Sequence, residues 1–252
     1  GGLRFHLAHR GRADVCRRHP LYALLGEDPL TARARAKPRG YTGDAVMIDY
    51  IYSGRPDGEV SELGRALMAV TTASASGRSV RDRRELLASK IDACAARVAK
   101  PNIFAVACGH LREVPESKAF DRGALGAVFA LDQDRQSLAV VRSTFGDGSV
   151  VTPIAASVRD LLRGTVDVPP CDLVYAAGLY DYLPDAVATQ LTSCLFGRLA
   201  PGGELVIGNF VPDFPTVGYL EAFMDWTLLC RSEAELRQLA AGAVLPAEHA
   251  RR

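Results

Sequence analysis

The sequence predicts an α/β fold with a doubly wound, mostly parallel sheet. Three observations predict it. First, five apolar β-type runs, at 103–107, 127–131, 149–154, 172–176 and 203–209, alternate with helix-compatible segments. Second, these runs are near-continuously apolar, as strands covered on both faces are, rather than alternating. Third, residues 102–134, NIFAVACGHLREVPESKAFDRGALGAVFALDQD, read as strand, tight Cys108-Gly109 turn, helix, strand and acid. That is the opening of a nucleotide-binding βαβ unit, so the sheet is expected to be Rossmann-like.

In chain order, residues 1–100 read as helical. The clearest case is 80–98, where Val80, Leu87, Ile91, Cys94 and Val98 recur at helical spacing. Thr71 to Ser79 is small and polar and reads as a loop or hinge. Lys100-Pro101 interrupts the helical pattern, because proline blocks its continuation. The boundary is therefore placed there, with a helical N-terminal lid or substrate region over 1–100 and a cofactor-binding domain over 101–252. Beyond it, helices are expected at about 110–118, 134–143, 157–163, 184–199 and 219–241, the last broken near Ser232.

The turn lets backbone N–H groups and a helix N-terminus face an anionic part of a ligand. Asp132, 23 positions after Gly109, is placed to accept hydrogen bonds from a ribose diol. A dinucleotide site needs G-x-G-x-x-G so that a pyrophosphate can approach the backbone. Here Gly109 is followed by His110, Leu111 and Arg112. A ligand without phosphates fits better, and S-adenosyl-L-methionine (SAM) has the matching parts: adenosine, sulfonium and a carboxylate for the helix N-terminus.

Composition bounds the alternatives. The chain has 252 residues, 48% hydrophobic and 23% charged, with net charge +1. No window approaches the roughly 18 apolar residues that suggest a membrane span, and no signal core is evident, so a cytoplasmic protein is expected. Cys16, Cys94, Cys108, Cys171, Cys194 and Cys230 form no C-x-x-C pair, which fits reduced, mostly buried thiols. His6, His9, His19, His110 and His249 show no ligand spacing, so no metal is expected. Residues 1–40 carry nine basic side chains, Arg4, Arg10, Arg12, Arg17, Arg18, Arg33, Arg35, Lys37 and Arg39, against Asp14, Glu27 and Asp28. They read as a solvated helical face or an anion-attracting segment. Without interleaved aromatic side chains they argue against a nucleic-acid partner.

Four segments carry a resemblance: KPRGYTGDAVMIDYIY (37–52), ACGHLRE (107–113), LVYAAGLYDYL (173–183), and GNF (208–210) followed by GYLEAFMDWTLLCR (218–231). On these the chain resembles class I SAM-dependent methyltransferases. More narrowly, it is similar to the bacterial 3-hydroxypalmitate methyl ester biosynthesis proteins. The resemblance spans nearly the whole chain. It implies that Gly109 and its neighbours Ala107, Cys108, His110 and Arg112 hold the methionine part of SAM. Asp132, with Gln133 beside it, would hold the ribose, and Ser157, Val158 and Arg159 would flank the adenine. Ala177, Gly178, Leu179 and Tyr180 would line the sulfonium side. Such folds usually finish with an antiparallel strand pair, for which only Gly242 to Arg252 remain. The tail is expected to be trimmed, supplied by a partner chain or missing, and an open sheet edge would favour a homodimer.

Several side chains carry chemistry or simply pack. Tyr180 and Tyr182 bracket Asp181 after the fourth strand, where each ring would face a sulfonium through a cation–π contact or fill the core. Asp181 would orient a substrate or cap the following helix. Asn209 would bind an acceptor or serve as a turn residue before Pro212. Arg39 to Asp44, with Tyr41 between two glycines, reads as a lid loop or a packing loop. Glu221 and Asp225, at i and i+4, share a helical face that either binds a cation or amine or is merely solvated. Cys108 reads as a small packed residue, since direct methyl transfer needs no thiol.

The leading expectation is methyl transfer to a small carboxylate or natural-product acceptor. A carboxylate is already nucleophilic and needs only a positioning donor such as Tyr41, Arg39 or Asn209. The alternative is intramolecular cyclisation of SAM with release of methylthioadenosine, as in azetidine-2-carboxylate synthases, using Tyr180, Tyr182, Asp181 and Asp225. A dehydrogenase is disfavoured by the missing glycines, and a non-catalytic SAM sensor by the crowded aromatic and polar strand ends.

Overall fold

The computed structural model describes residues 14–242. Arg4, Arg10, Arg12, His6, His9, His249 and the tail beyond Gly242 lie outside the described residues. In chain order the elements are α1 (Pro20–Leu25), α2 (Pro29–Ala36), α3 (Ala45–Ser53), α4 (Glu62–Thr72), α5 (Ala75–Arg97), β1 (Asn102–Val106), α6 (Lys118–Asp121), β2 (Ala127–Asp132) and α7 (Arg135–Phe145). There follow β3 (Val151–Ala155), α8 (Val158–Leu162), β4 (Cys171–Ala176), a 3₁₀ turn (Tyr180–Tyr182), α9 (Asp185–Phe196), β5 (Leu199–Ile207), α10 (Val217–Phe223) and α11 (Glu233–Gly242). The chain divides into two compact units, Gly1–Asp82 with Asp213–Leu228, and Arg83–Pro212 with Leu229–Arg252.

In the first unit, short helices are set by caps. Asp28 accepts the backbone N–H groups of Leu30 (3.0 Å) and Thr31 (3.2 Å) ahead of Pro29, a proline at the first helical position. Asp44 caps α3 through Met47 N (2.9 Å) and receives a two-pronged ion pair from Arg33, both contacts at 2.8 Å. Leu30, Ala34, Met47, Ile51 and Met68 supply its apolar interior.

In the second unit, five strands form one parallel sheet in the order β3-β2-β1-β4-β5. The central strands pair Phe104 with Phe129 on one side and with Val174 on the other. Alternate residues go to opposite faces. Ile103, Ala105, Val128, Ala130 and Leu173 pack beneath Leu87, Ile91 and Cys94 of α5 and Leu138 and Val141 of α7. Phe104, Val106, Leu131, Val174 and Ala176 meet Leu161 of α8 and Ala188, Leu191 and Leu195 of α9. Both faces are thus covered, which is why these strands read as apolar throughout. The order reverses between β1 and β4, so the carboxyl ends of these two strands flank the crevice where such sheets bind ligands.

The structure departs from sequence expectation at five places. No helix forms over 110–118. Leu111 is left-handed (φ 55) and Pro115 disfavours helical geometry at Val114, so tight turns lead to the short α6 instead. Residues 71–79 are not a loop: α4 runs to Thr72 and α5 starts at Ala75. The tight link requires Gly77, whose added Cβ would lie 2.2 Å from the Thr72 carbonyl oxygen. β5 begins earlier than expected, at Leu199. The break expected near Ser232 in the 219–241 helix is present, where Ser232 pairs with Glu235 to start α11 afresh, but it is wider than expected, because α10 already ends at Phe223 and Asp225 is left-handed (φ 50). Glu221 and Asp225 therefore share no helical face. Finally, the boundary expected at Lys100-Pro101 falls between Asp82 and Arg83, inside α5, since the second half of that helix covers the sheet.

Gly126 enters β2 with its N–H on the Pro101 carbonyl (3.0 Å), and an added Cβ would lie 2.3 Å from the Lys100 carbonyl oxygen. That neighbour is backbone and must move. Gly126→Ala is expected to cost about 1–3 kcal/mol in chemical denaturation.

Candidate active site at the carboxyl edge of the sheet

β1 ends at Val106 because the next residues turn away. Ala107 (φ 52), Gly109 (φ 55) and Leu111 (φ 55) are all left-handed, separated by Cys108 and His110. Single left-handed residues suit glycine and cost about 1 kcal/mol or more elsewhere, so the two others mark stored strain. The loop is pinned to β2: Cys108 N donates to the Leu131 carbonyl (3.0 Å) and Gly109 N to Asp132 Oδ2 (2.8 Å).

Asp132 is the last residue of β2 and is 6% exposed. Its other oxygen, Oδ1, accepts Asp134 N at 2.8 Å. Burial pushes its pKa up, against the opposing N–H groups of Asp134 and Gly109. The Gln133 N–H also acts on this carboxylate. A carboxylate offers about four lone-pair positions, so acceptor capacity remains for a hydroxyl donor. Gln133 beside it is exposed.

At the end of β3, Ser157 caps α8 reciprocally with Asp160: Ser157 N and Oγ donate to Asp160 Oδ2 (2.8 and 2.6 Å), and Asp160 N returns to Ser157 Oγ (3.3 Å). The Ser157 hydroxyl thus shapes the turn, with Val158 half-buried and Arg159 exposed beside it. Past β4, Ala177 receives a hydrogen bond from the Arg83 guanidinium on its carbonyl, Gly178 is exposed and Leu179 half-buried. His110 is buried, Arg112 half-buried, and burial raises the Cys108 thiol well above its ordinary range, so Cys108 is a packed neutral thiol.

For three candidate catalytic residues the structure shows structural partners. Tyr180 is fully buried in the apolar layer, with its hydroxyl 3.0 Å from Thr192 Oγ1 and its pKa pushed by burial to about 12, so its ring packs rather than facing a ligand. Asn209 is consumed by structure: Nδ2 donates to Asp181 Oδ1 (2.9 Å) and to the carbonyls of Phe210 (2.9 Å) and Leu229 (3.0 Å), while Oδ1 accepts from Arg231 (2.8 Å). Asp225 lies in the first unit, ion-paired with Arg17 (2.9 Å) and Lys37 (2.6 Å). Tyr182 is 37% exposed just beyond β4. Tyr41 is half-buried in the first unit. Asp181 caps no helix: its carboxylate accepts Phe210 N at 2.7 Å as well as Asn209.

Sequence reasoning missed two arrangements. Glu113 accepts the Tyr175 hydroxyl across the sheet edge at 2.6 Å. Arg231, 3% exposed, donates to the Tyr180 and Leu183 carbonyls, Asn209 and Asp185. Their only sequence signal was a position inside the resemblance segments. Among the described residues, no cluster of His, Cys, Asp and Glu is placed to hold a metal ion, and no helix is long and apolar enough to cross a membrane.

The strand order and the crevice define a Rossmann-like, doubly wound α/β fold. No protein-family model and no curated protein matches the chain. Solved structures do. A possible exported protein from Bordetella parapertussis is 19% identical over 79% of this chain and 71% of that one, with a TM-score of 0.63. The N-methyltransferase NodS from Bradyrhizobium japonicum WM9, in complex with S-adenosyl-L-homocysteine, is 14% identical over 64% of this chain and 73% of its own, with a TM-score of 0.47. The magnesium protoporphyrin IX methyltransferase ChlM from Synechocystis PCC 6803 is 15% identical over 78% and 87%, with a TM-score of 0.48. What the Bordetella protein shares with this chain is the fold.

Proposed function

We propose that the protein is a SAM-dependent methyltransferase acting on a small carboxylate or natural-product acceptor. The observation that carries the reading is Asp132. A buried carboxylate at the end of β2, tied to the Gly109 turn and retaining acceptor capacity, is what a ribose diol requires in a parallel sheet of this order. The loop's single glycine disfavours a pyrophosphate, and its Cys108, Gly109 and Leu111 N–H groups are spent on the Leu131 carbonyl, Asp132 Oδ2 and the Cys108 carbonyl in holding the turn.

SAM supplies a methyl group already activated on its sulfonium. The chain's own residues then need chiefly to bind and orient. In this reading Ala107, Cys108, Gly109, His110 and Arg112 hold the amino-acid part, Asp132 and Gln133 the ribose, Ser157, Val158 and Arg159 the adenine, and Gly178 and Leu179 the sulfonium side. The exposed ring of Tyr182 offers a cation–π face worth about 0.5–2 kcal/mol. With Asn209 committed to structure, Arg39 and Tyr41 are the proposed orienting donors for the acceptor. The buried ring of Tyr180 and the ion-paired Asp225 weigh against intramolecular cyclisation. Six free cysteines suit a reducing cytoplasm, and the open edge of β5 among the described residues suits a homodimer.

The test is incubation with SAM alone, with products analysed by mass spectrometry. Intact SAM, followed by S-adenosylhomocysteine once a carboxylate acceptor is added, is the expected result. Methylthioadenosine with a cyclic amino acid would replace methyl transfer by cyclisation. Tyr41→Ala is expected to lower kcat about tenfold or more with SAM affinity little changed. A change in melting temperature alone would assign Tyr41 to packing within its own unit.

A further inference from the structure

The stretch from Ala107 to Ser117 belongs to no strand and no helix. It contains two non-glycine residues in the left-handed region, and its internal backbone bonds are isolated turns. Such a segment holds one shape only if something outside it does the holding. At its far end the stretch is tied to α5, where Asp92 accepts the Ser117 hydroxyl at 2.9 Å, and on the β2 side the holders are the Leu131 carbonyl, through Cys108 N, and Asp132, through Gly109 N. On the β4 side the holder is Tyr175, the penultimate residue of that strand, whose hydroxyl donates to Glu113 Oε1 at 2.6 Å. The β2 and β4 attachments lie on either side of β1, from which the loop departs.

The Glu113–Tyr175 pair is expensive. Glu113 is 7% exposed and Tyr175 2%. Burial raises the Glu113 pKa, against the Tyr175 hydroxyl and the more distant charges of Arg83 and Arg84 on α5. Cys108 and Asp132 face the same interior. An apolar pair of similar volume would often be as stable or more so, so a buried polar pair is better explained by the conformation it specifies. Here it specifies the height and tilt of the loop above β1 and β4.

We propose that Glu113 and Tyr175 are positioning residues: a clamp that fixes the Ala107–Arg112 loop against β4 so that its backbone meets the amino-acid end of the cofactor. This rests on the cofactor reading above. Neither residue touches the reacting atoms.

Two readouts test it, one of them independent of any ligand. Tyr175→Phe keeps the ring in the core and removes only the hydroxyl. In the apoprotein, amide hydrogen exchange over 107–117 is expected to accelerate about tenfold with β1 and β4 unchanged, and the Kd for S-adenosylhomocysteine is expected to rise about tenfold. Glu113→Gln keeps an acceptor for Tyr175 and should hold both readouts within about threefold, whereas Glu113→Ala should reproduce Tyr175→Phe. The contrast between these two variants reads the pair from the loop side should Tyr175→Phe fold poorly. Unchanged loop exchange and unchanged Kd in Tyr175→Phe would overturn the clamp, as would acceleration shared equally by loop and strands, the mark of an ordinary core contact. If wild-type protein does not bind S-adenosylhomocysteine, the cofactor reading falls. Loop exchange alone then decides the clamp: faster exchange confined to 107–117 supports it, and unchanged exchange overturns it.

Discussion

Arg231→Met is expected to lower unfolding free energy by about 3–5 kcal/mol, and the melting temperature by roughly 10 °C. The side chain is 4% exposed and serves several acceptors at once. Nη1 reaches the Tyr180 carbonyl and Asn209 Oδ1, both at 2.8 Å, Nη2 reaches the Leu183 carbonyl, and Nε and Nη2 reach Asp185 Oδ1 at 3.0 and 2.8 Å. Asp185 is 82% exposed and loses little when its partner goes. The cost comes from the Leu183 carbonyl and the Asn209 amide oxygen, which lose the guanidinium donor, and from the buried Tyr180 carbonyl, which keeps only Leu183 N at 3.1 Å. Methionine fills volume without supplying a donor. Arg231→Lys should recover only part of the loss, because a single ammonium cannot span donors spread over a planar fork. Denaturant titration measures both variants. A loss below about 1 kcal/mol for Arg231→Met would mean that water reaches these acceptors and replaces the guanidinium.

The second large effect falls on binding. Asp132→Ala is expected to weaken SAM and S-adenosylhomocysteine by about a hundredfold or more, from lost hydrogen bonding to a charged acceptor plus release of Gly109 N. Isothermal titration measures it, and unchanged affinity would move the ribose site elsewhere. The pH dependence has a definite sign. Burial raises the Asp132 pKa in the folded protein. The folded state therefore holds that proton more tightly than the unfolded chain does. The group's contribution to apoprotein stability is present below the unfolded pKa and is lost as pH rises through the folded one. In the cofactor reading proposed above, ligand affinity is expected to run the opposite way, because a ribose diol and the backbone N–H groups favour the ionised carboxylate. Wild-type affinity should fall as pH drops through the raised pKa, and Asp132→Ala should lose that acid limb.

The parallel sheet was legible because burial on both faces leaves a mark that one sequence can show: short, unbroken apolar runs such as Ile103 to Ala107 and Leu173 to Ala176. The Asp132–Gly109 relation was legible for a similar reason, since a turn and an acid at fixed spacing follow from one βαβ unit. The fate of Tyr180 and Asn209 was not. Each sits at a strand end, where exposed and buried residues look alike, and what decides is Thr192 for one and Arg231 for the other, both distant in the chain. The missing helix after Gly109 hinged on a backbone angle at Leu111, an apolar residue that gives no hint of being left-handed. Likewise, Pro101 marks a real stop in the chain but not an edge of packing, because the helix before it still serves the sheet.

The position of α5 has a practical consequence for dissecting the protein. Cutting at Pro101 would discard Leu87, Ile91 and Cys94 and leave that face of the sheet covered by α7 alone, so that fragment is expected to aggregate. A smaller protein with the sheet intact would instead begin at Arg83 and omit 213–228. The gap this opens is already nearly closed, since Arg231 N lies 2.9 Å from the Phe210 carbonyl oxygen. A short glycine-containing turn from Pro212 to Leu229 would rejoin the chain, giving a smaller protein that keeps all five strands and the α5 residues that cover them.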